Sequence, residues 1–156
     1  MTKDQLKLSI SIVLIASAVL TVSLYFILEK DTKPGHGHNT HGALPKEFPK
    51  VIGGENRPIE DPQKYAGDPK YGNAVQAYTA AKEIPHVLDK IFCYCYCQDN
   101  PRYKHKSLLT CYTDDHGANC GICQREAIHA HELYKKGMKV KDIVLAVNKK
   151  HFHPKH

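Results

Sequence analysis

Ile91-Phe92-Cys93-Tyr94-Cys95-Tyr96-Cys97, followed by Cys111 and then by Cys120-Gly121-Ile122-Cys123, is the stretch on which the reading of this chain turns. All six cysteines of the 156-residue protein lie between Cys93 and Cys123, so they converge on one site or one scaffold. In an extended segment the side chains at i, i+2 and i+4 share a face, which points Cys93, Cys95 and Cys97 the same way; in a helix they scatter. Cys120 and Cys123 stand one turn apart at the expected start of a helix, where unpaired N–H groups and the positive dipole end favour thiolate over thiol. His105 and His116 fall inside the same window and are the natural completing ligands.

Three chemistries compete for these thiols. A metal site needs deprotonated sulfurs two residues or one turn apart, which Cys-x-Cys-x-Cys plus Cys-x-x-Cys supplies; more than four soft donors favour copper as Cu(I), with zinc or an iron–sulfur cluster as alternatives. A disulfide-stapled interaction module is supported by the even count and by an oxidising, extracytoplasmic address. Its bridges would each join the two cysteine groups, because near neighbours of the first triplet do not bridge one another. A thiol–disulfide oxidoreductase is the third reading, although the strand pattern expected of a thioredoxin-like fold is missing. Haem attachment through Cys-x-x-Cys is disfavoured, since Gln124 and not histidine follows Cys123. The metal site is preferred, with Cys93, Cys95, Cys97, Cys111, Cys120 and Cys123 as the donor pool.

Outward from the cysteines the pattern is helical. Asn73 to Lys90 reads as a helix interrupted at Pro85. Ser107 to Tyr112 reads as a helical turn. A helix from about Cys120 to Lys136 follows Asn119 as N-cap and stops at Gly137. Val140, Ile143, Val144 and Val147 then form an i, i+3, i+4, i+7 stripe on a last helix. No strand alternation is evident. A folded part of this size with few large apolar side chains needs a staple, and the cysteines are placed to provide one.

The remaining segments carry location rather than chemistry. Leu8 to Leu28 is an uncharged run long enough for a single transmembrane helix, read as an uncleaved signal anchor after the short tail 1–7. It accounts for much of the 42% hydrophobic content beside a mean hydropathy of −0.46. Residues 29–72 read as a Pro/Gly/His-containing linker, 73–150 as the Cys-rich helical domain and 151–156 as a His-rich tail. His36, His38 and His41 form a weak secondary metal tract on the linker. The expected fold class is thus mostly α, a small cysteine-clustered helical domain on one N-terminal transmembrane helix, with the lipid bilayer as partner and the domain outside the cell membrane. A membrane metalloenzyme or a redox protein is a further expected partner. Lys and Arg number 22 against 16 Asp and Glu, but no compact basic run with interleaved aromatics occurs, so nucleic-acid binding is disfavoured. No residue set points to an organic substrate, so enzyme activity is not expected.

Cys93 to Cys97, His105-Lys106-Ser107-Leu108, Cys111, His116 and Cys120 to Cys123, with the helices around them, resemble the prokaryotic PCYCGC-motif proteins over about Val75 to Phe152. The resemblance implies a secreted or lipid-anchored, extracytoplasmic domain without an established activity. Two positions depart from the motif: Phe92 stands where the family has proline, and Tyr96 where it has glycine. Glycine would supply positive φ for a tight loop around a metal, which tyrosine does not readily do.

Overall fold

The structure, a computed structural model, describes residues 44–155. Its backbone is helices, 3₁₀ turns and loops, and no strand occurs among the described residues. Helix α1 (Ala74–Glu83) ends at Ile84, whose φ of −127° suits a residue before proline, and Pro85 opens the one-turn helix α2 (Pro85–Leu88). After the cysteine loop comes a 3₁₀ turn, Leu109–Tyr112. Helix α3 (Gly121–Lys135) starts one residue later than expected, with Cys120 itself at the N-cap. It closes on Gly137 at φ 78°, where the Met138 N–H donates to Leu133 O (3.2 Å) and the Gly137 N–H to Tyr134 O (2.9 Å), the paired bonds of a Schellman end. Helix α4 (Val140–His151) completes the order.

Small residues bring the helices together. Ala74, Ala77, Ala80 and Ala81 of α1 are buried, as are Ala127 and Ala130 of α3, and α1 packs on α3 along these faces. Helix α4 buries Ile143 and Val147 while packing against α3. An aromatic column takes the volume the alanines leave: Tyr71 to Tyr65, Tyr65 to Tyr78 and Tyr78 to Tyr112, with ring centroids 5.2, 4.6 and 4.9 Å apart.

The segment before α1 is bound to the domain by its backbone. The N–H groups of Ile52 and Gly53 donate to Lys106 O (3.1 and 3.0 Å), and that of Glu60 to Tyr112 O (3.0 Å). Asp89 accepts from the Gly54 N–H (2.7 Å) and from the Ser107 hydroxyl (2.8 Å), joining this strap to the chain just past the cysteine loop. Two 3₁₀ turns, Pro62–Tyr65 and Pro69–Tyr71, each opened by an aspartate cap, end it.

The fold class is a small, mostly α, cysteine-clustered helical domain without the membrane-spanning part. No helix among the described residues is long and apolar enough to cross a membrane. The longest, α3, has 15 residues and spans about 22 Å, and its buried face carries Gln124 and Glu126. The expected transmembrane signal anchor, 8–28, lies outside the described residues, as do His36, His38, His41 and His156. With it the cell-membrane localisation, the lipid bilayer as partner and the membrane metalloenzyme as client lose their support.

Candidate metal centre

The Cys93–Cys97 segment is not extended. A turn forms in which the Tyr96 N–H donates to Cys93 O (3.0 Å), and Tyr96 takes φ 59°, a left-handed conformation that glycine adopts without strain. The turn gathers the sulfurs of Cys93, Cys95 and Cys97 within 4.8 Å of one another, the outcome expected from extended geometry but reached by another route. Tyr96 is held there by its surroundings. Its ring lies 5.5 Å from Phe92 and 5.6 Å from His153, and its hydroxyl donates to His153 O at 2.5 Å. Phe92, the second departure from the motif, is buried against the Tyr94 ring at 5.3 Å.

Facing this loop, the first turn of α3 presents Cys120 and Cys123, and the intervening chain brings Cys111, His105 and His116. Four overlapping donor sets result, each with ligand atoms within 4.8 Å of one another: Cys95, His116, Cys120 and Cys123; Cys97, His105, Cys111 and His116; Cys93, Cys111 and Cys123; and Cys93, Cys95 and Cys97. The eight expected residues therefore form one continuous two-lobed cluster, with His116 common to both four-membered lobes. Sulfur pairs lie at 3.3 Å (Cys93–Cys123), 3.4 Å (Cys93–Cys95), 3.5 Å (Cys97–Cys111) and 3.7 Å (Cys95–Cys123), and all six cysteines are free. The His105 Nδ1 is 3.2 Å from the Cys111 sulfur, and the His116 Nε2 is 3.6 Å from that of Cys95. Tyr103 shields the imidazole side, its ring 4.6 Å from His116 and 5.5 Å from His105.

Burial and mutual hydrogen bonding divide the thiols. Burial pushes the Cys93 and Cys111 thiols well above their ordinary range. Hydrogen bonds from Cys111, Cys120, Cys123 and Cys93 hold Cys95 far below it. Hydrogen bonds to Cys95 and Cys97 raise His116 to about 10, so a thiolate and an imidazolium face each other at the open side of the cluster. Such a set loads by exchanging protons for metal.

Several residues that shape the site carried no metal-ligand signal. Glu126 is fully buried in α3, accepts the Tyr94 N–H through Oε1 (3.0 Å) and leaves Oε2 without a hydrogen-bond partner; burial pushes its carboxyl up to about 8. Its position three residues beyond Cys123, inside the apolar stripe that Ala127 and Ala130 continue, was the available sign. Gln124 donates to Gly117 O (3.1 Å) and Ala118 O (2.9 Å), and Tyr112 donates to Cys123 O (2.6 Å), fixing the loop that carries His116. Gly117 is required by closeness: a Cβ there would sit 2.8 Å from Cys111 O. The other histidines among the described residues do not join the cluster. His131 meets Glu83 at 2.6 Å, and His129 meets His151 at 3.2 Å.

Fold and site together define a small helical domain organised around a Cys/His cluster capable of coordinating a metal ion. The chain belongs to the family described as proteins of unknown function with PCYCGC motif, which it matches over residues 68–153, more than half its length. That description carries no membrane or lipid character, so the secreted or lipid-anchored, extracytoplasmic placement implied by the resemblance is corrected to membership of the family alone. No curated protein and no solved structure matches the chain.

Proposed function

We propose that this domain binds metal ions through its thiolates and imidazoles, with copper as Cu(I) the preferred ion, and that it takes more than one. The observation that supports this is the set of eight donors, six of them sulfur, in four overlapping groups. A single tetrahedral ion uses four ligands. The buried trio Cys93, Cys111 and Cys123 is a three-sulfur set, which suits Cu(I) better than zinc, and Cys111 and Cys123 each recur in a neighbouring group, as bridging thiolates do. Cys95, Cys120, Cys123 and His116 would hold one ion, and Cys97, Cys111 and His105 would serve the other lobe, with His116 within reach of either. Bound there, the ion would supply a soft, thiolate-ligated centre for storage or for electron transfer.

A second reading is favoured by the same sulfur pairs. Cys93–Cys123 at 3.3 Å and Cys97–Cys111 at 3.5 Å each join the two cysteine groups, and closure to disulfides would make the domain a stapled interaction module. Metal content and free thiols measured on one sample of the purified chain separate the two. Two or more Cu(I) per chain after anaerobic loading, with six titratable thiols once the metal is removed, supports the first. Oxidised cysteines that bind no metal after reduction and reloading would sink it in favour of the second.

A further inference from the structure

Burial sets the route by which an ion reaches these sulfurs. Cys93, Cys97, Cys111 and Cys123 are buried, whereas Cys95, Cys120 and His116 are half-buried, so the cluster meets solvent on their side. Two cavities open nearby. One, of about 450 Å³, is lined by Tyr94, Cys95, Tyr96, Asn100, Ile122 and His153 among others. The second, of about 330 Å³, lies over Lys70, Gly72, Asn119 and Gln124 at the start of α3, and no sulfur or imidazole stands on its wall.

We infer that the first cavity is the port through which the cluster exchanges metal, and that its occupant is a small amino-acid-derived thiol carrying the ion. This rests on the metal-binding reading above. Thiolate-bound metal moves by ligand exchange, which needs an incoming sulfur within bonding reach of the carried ion; of these two cavities the first offers one, Cys95. In the exchange a Cys95 Sγ–metal bond forms, the carrier's sulfur–metal bond breaks, and the carrier leaves as its thiolate, which takes a proton from water. No electron changes hands. Cys95 belongs to two donor groups, the Cys95, His116, Cys120, Cys123 lobe and the Cys93, Cys95, Cys97 trio, so an ion accepted there can be passed to either half. The volume suits a molecule of tripeptide size, at the small end of ligand sites. At the rim the Lys155 ammonium and the Asp99 carboxylate pair with each other at 2.9 Å, and each would exchange that partner for the opposite charge of an amino-acid thiol.

The test follows Cu(I) loading of the full chain from its glutathione complex by the thiolate-to-metal ultraviolet band in stopped flow. Asn100→Trp, which narrows the port, is expected to slow loading at least tenfold while the final number of ions is unchanged. Lys70→Trp, in the second cavity, is expected to leave the rate within twofold. Lys155→Glu is expected to raise the half-saturating concentration of the glutathione complex at least threefold, and it carries the test if Asn100→Trp does not fold. Equal rates in wild type and Asn100→Trp, slowing by Lys70→Trp, or loading from a Cys-x-x-Cys peptide fused to a large protein as fast as from glutathione would each overturn the inference. Full binding with unaltered rates strikes the port alone; failure of the wild-type chain to bind Cu(I) at equilibrium strikes the metal-binding reading and the port together.

Discussion

The two halves of the cluster are held by opposite means. Cys120, the N-cap of α3, and Cys123, in its first turn, take their spacing from the helix start. Cys93, Cys95 and Cys97 sit in an irregular turn whose shape depends on Tyr96 at φ 59°, on the buried Glu126 carboxyl that accepts the Tyr94 N–H, and on the Tyr96 hydroxyl bond to His153 O in the chain's C-terminal segment. One half is local structure; the other is a loop that tertiary contacts hold in an unfavourable conformation. Donors on a helix survive changes elsewhere, whereas donors on such a loop report the state of everything packed on it.

The largest expected effect tests whether the halves act as one centre. Metal removal should lower the unfolding free energy by about 4 kcal/mol relative to the chain at a free metal concentration a thousandfold above its Kd, read by chemical denaturation with and without chelator. Within that experiment Cys120→Ser should lose capacity in one lobe and His105→Ala in the other, since each belongs to a single donor set, while His116→Ala should reduce both. Equal losses from all three variants would mean that the lobes are not separable.

Next in size is Gly117→Ala. The new Cβ would meet Cys111 O at 2.8 Å and the Tyr112 ring at 2.8 Å, and buried backbone with a packed ring yields little. A loss of about 2–3 kcal/mol in urea unfolding is expected, in the range of overpacked cores. A neutral result would show that the His116 loop is less tightly seated on Cys111 than its hydrogen bonds imply.

Tyr96 sharpens the contrast directly. Tyr96→Ala keeps the left-handed strain and loses the ring contacts, for an expected cost of about 1–2 kcal/mol. Tyr96→Gly loses the same contacts but relieves the strain, so it should be less destabilising by about 1 kcal/mol. The order of the two variants is the readout, and alanine better tolerated than glycine would contradict the strained turn.

The smallest effect concerns the strap. The Arg57 guanidinium beside Glu55, with the Arg57 N–H and the Thr110 hydroxyl, holds the Glu55 carboxyl down at about 2. A depressed carboxylate contributes stability that is present above its unfolded value near 4.5 and is lost as pH falls through about 2. Because Arg57 is about half exposed, about 1 kcal/mol is expected over that window. Comparing wild type with Glu55→Gln across pH 5 to 2 checks it, since the variant's stability curve should be flatter by that amount.

Much of the helical layout was legible beforehand, and the reasons are local. Pro85 marks a break, Gly137 marks an end, and the valine and isoleucine stripe of α4 marks a buried face. The clustering of eight donors was equally legible, because thirty-one residues cannot place six cysteines far apart in a domain this small. Glu126 escaped notice because a carboxylate three residues past a cysteine on an amphipathic helix is ordinarily turned to solvent, and only packing against the Tyr94 backbone shows otherwise. The strap before α1 is the later half of the 29–72 linker laid over the domain, but its bonds were not legible, because they run from backbone N–H groups to distant carbonyls, which side-chain patterning does not encode.

By itself, the amino-acid sequence determined which atoms this protein brings together: six thiols and two imidazoles in one short window, with a helix under two of the thiols. The tertiary structure decided how they are arranged. It resolves the donors into two lobes joined at His116, bends the first three cysteines into a turn rather than a strand, and leaves Cys95 facing a cavity while four sulfurs are buried. The physical reason is range. Spacing along the chain sets which side chains can meet, but the conformation of a residue such as Tyr96 is chosen by contacts with Phe92 and with His153, far along the chain, and no local pattern carries that choice.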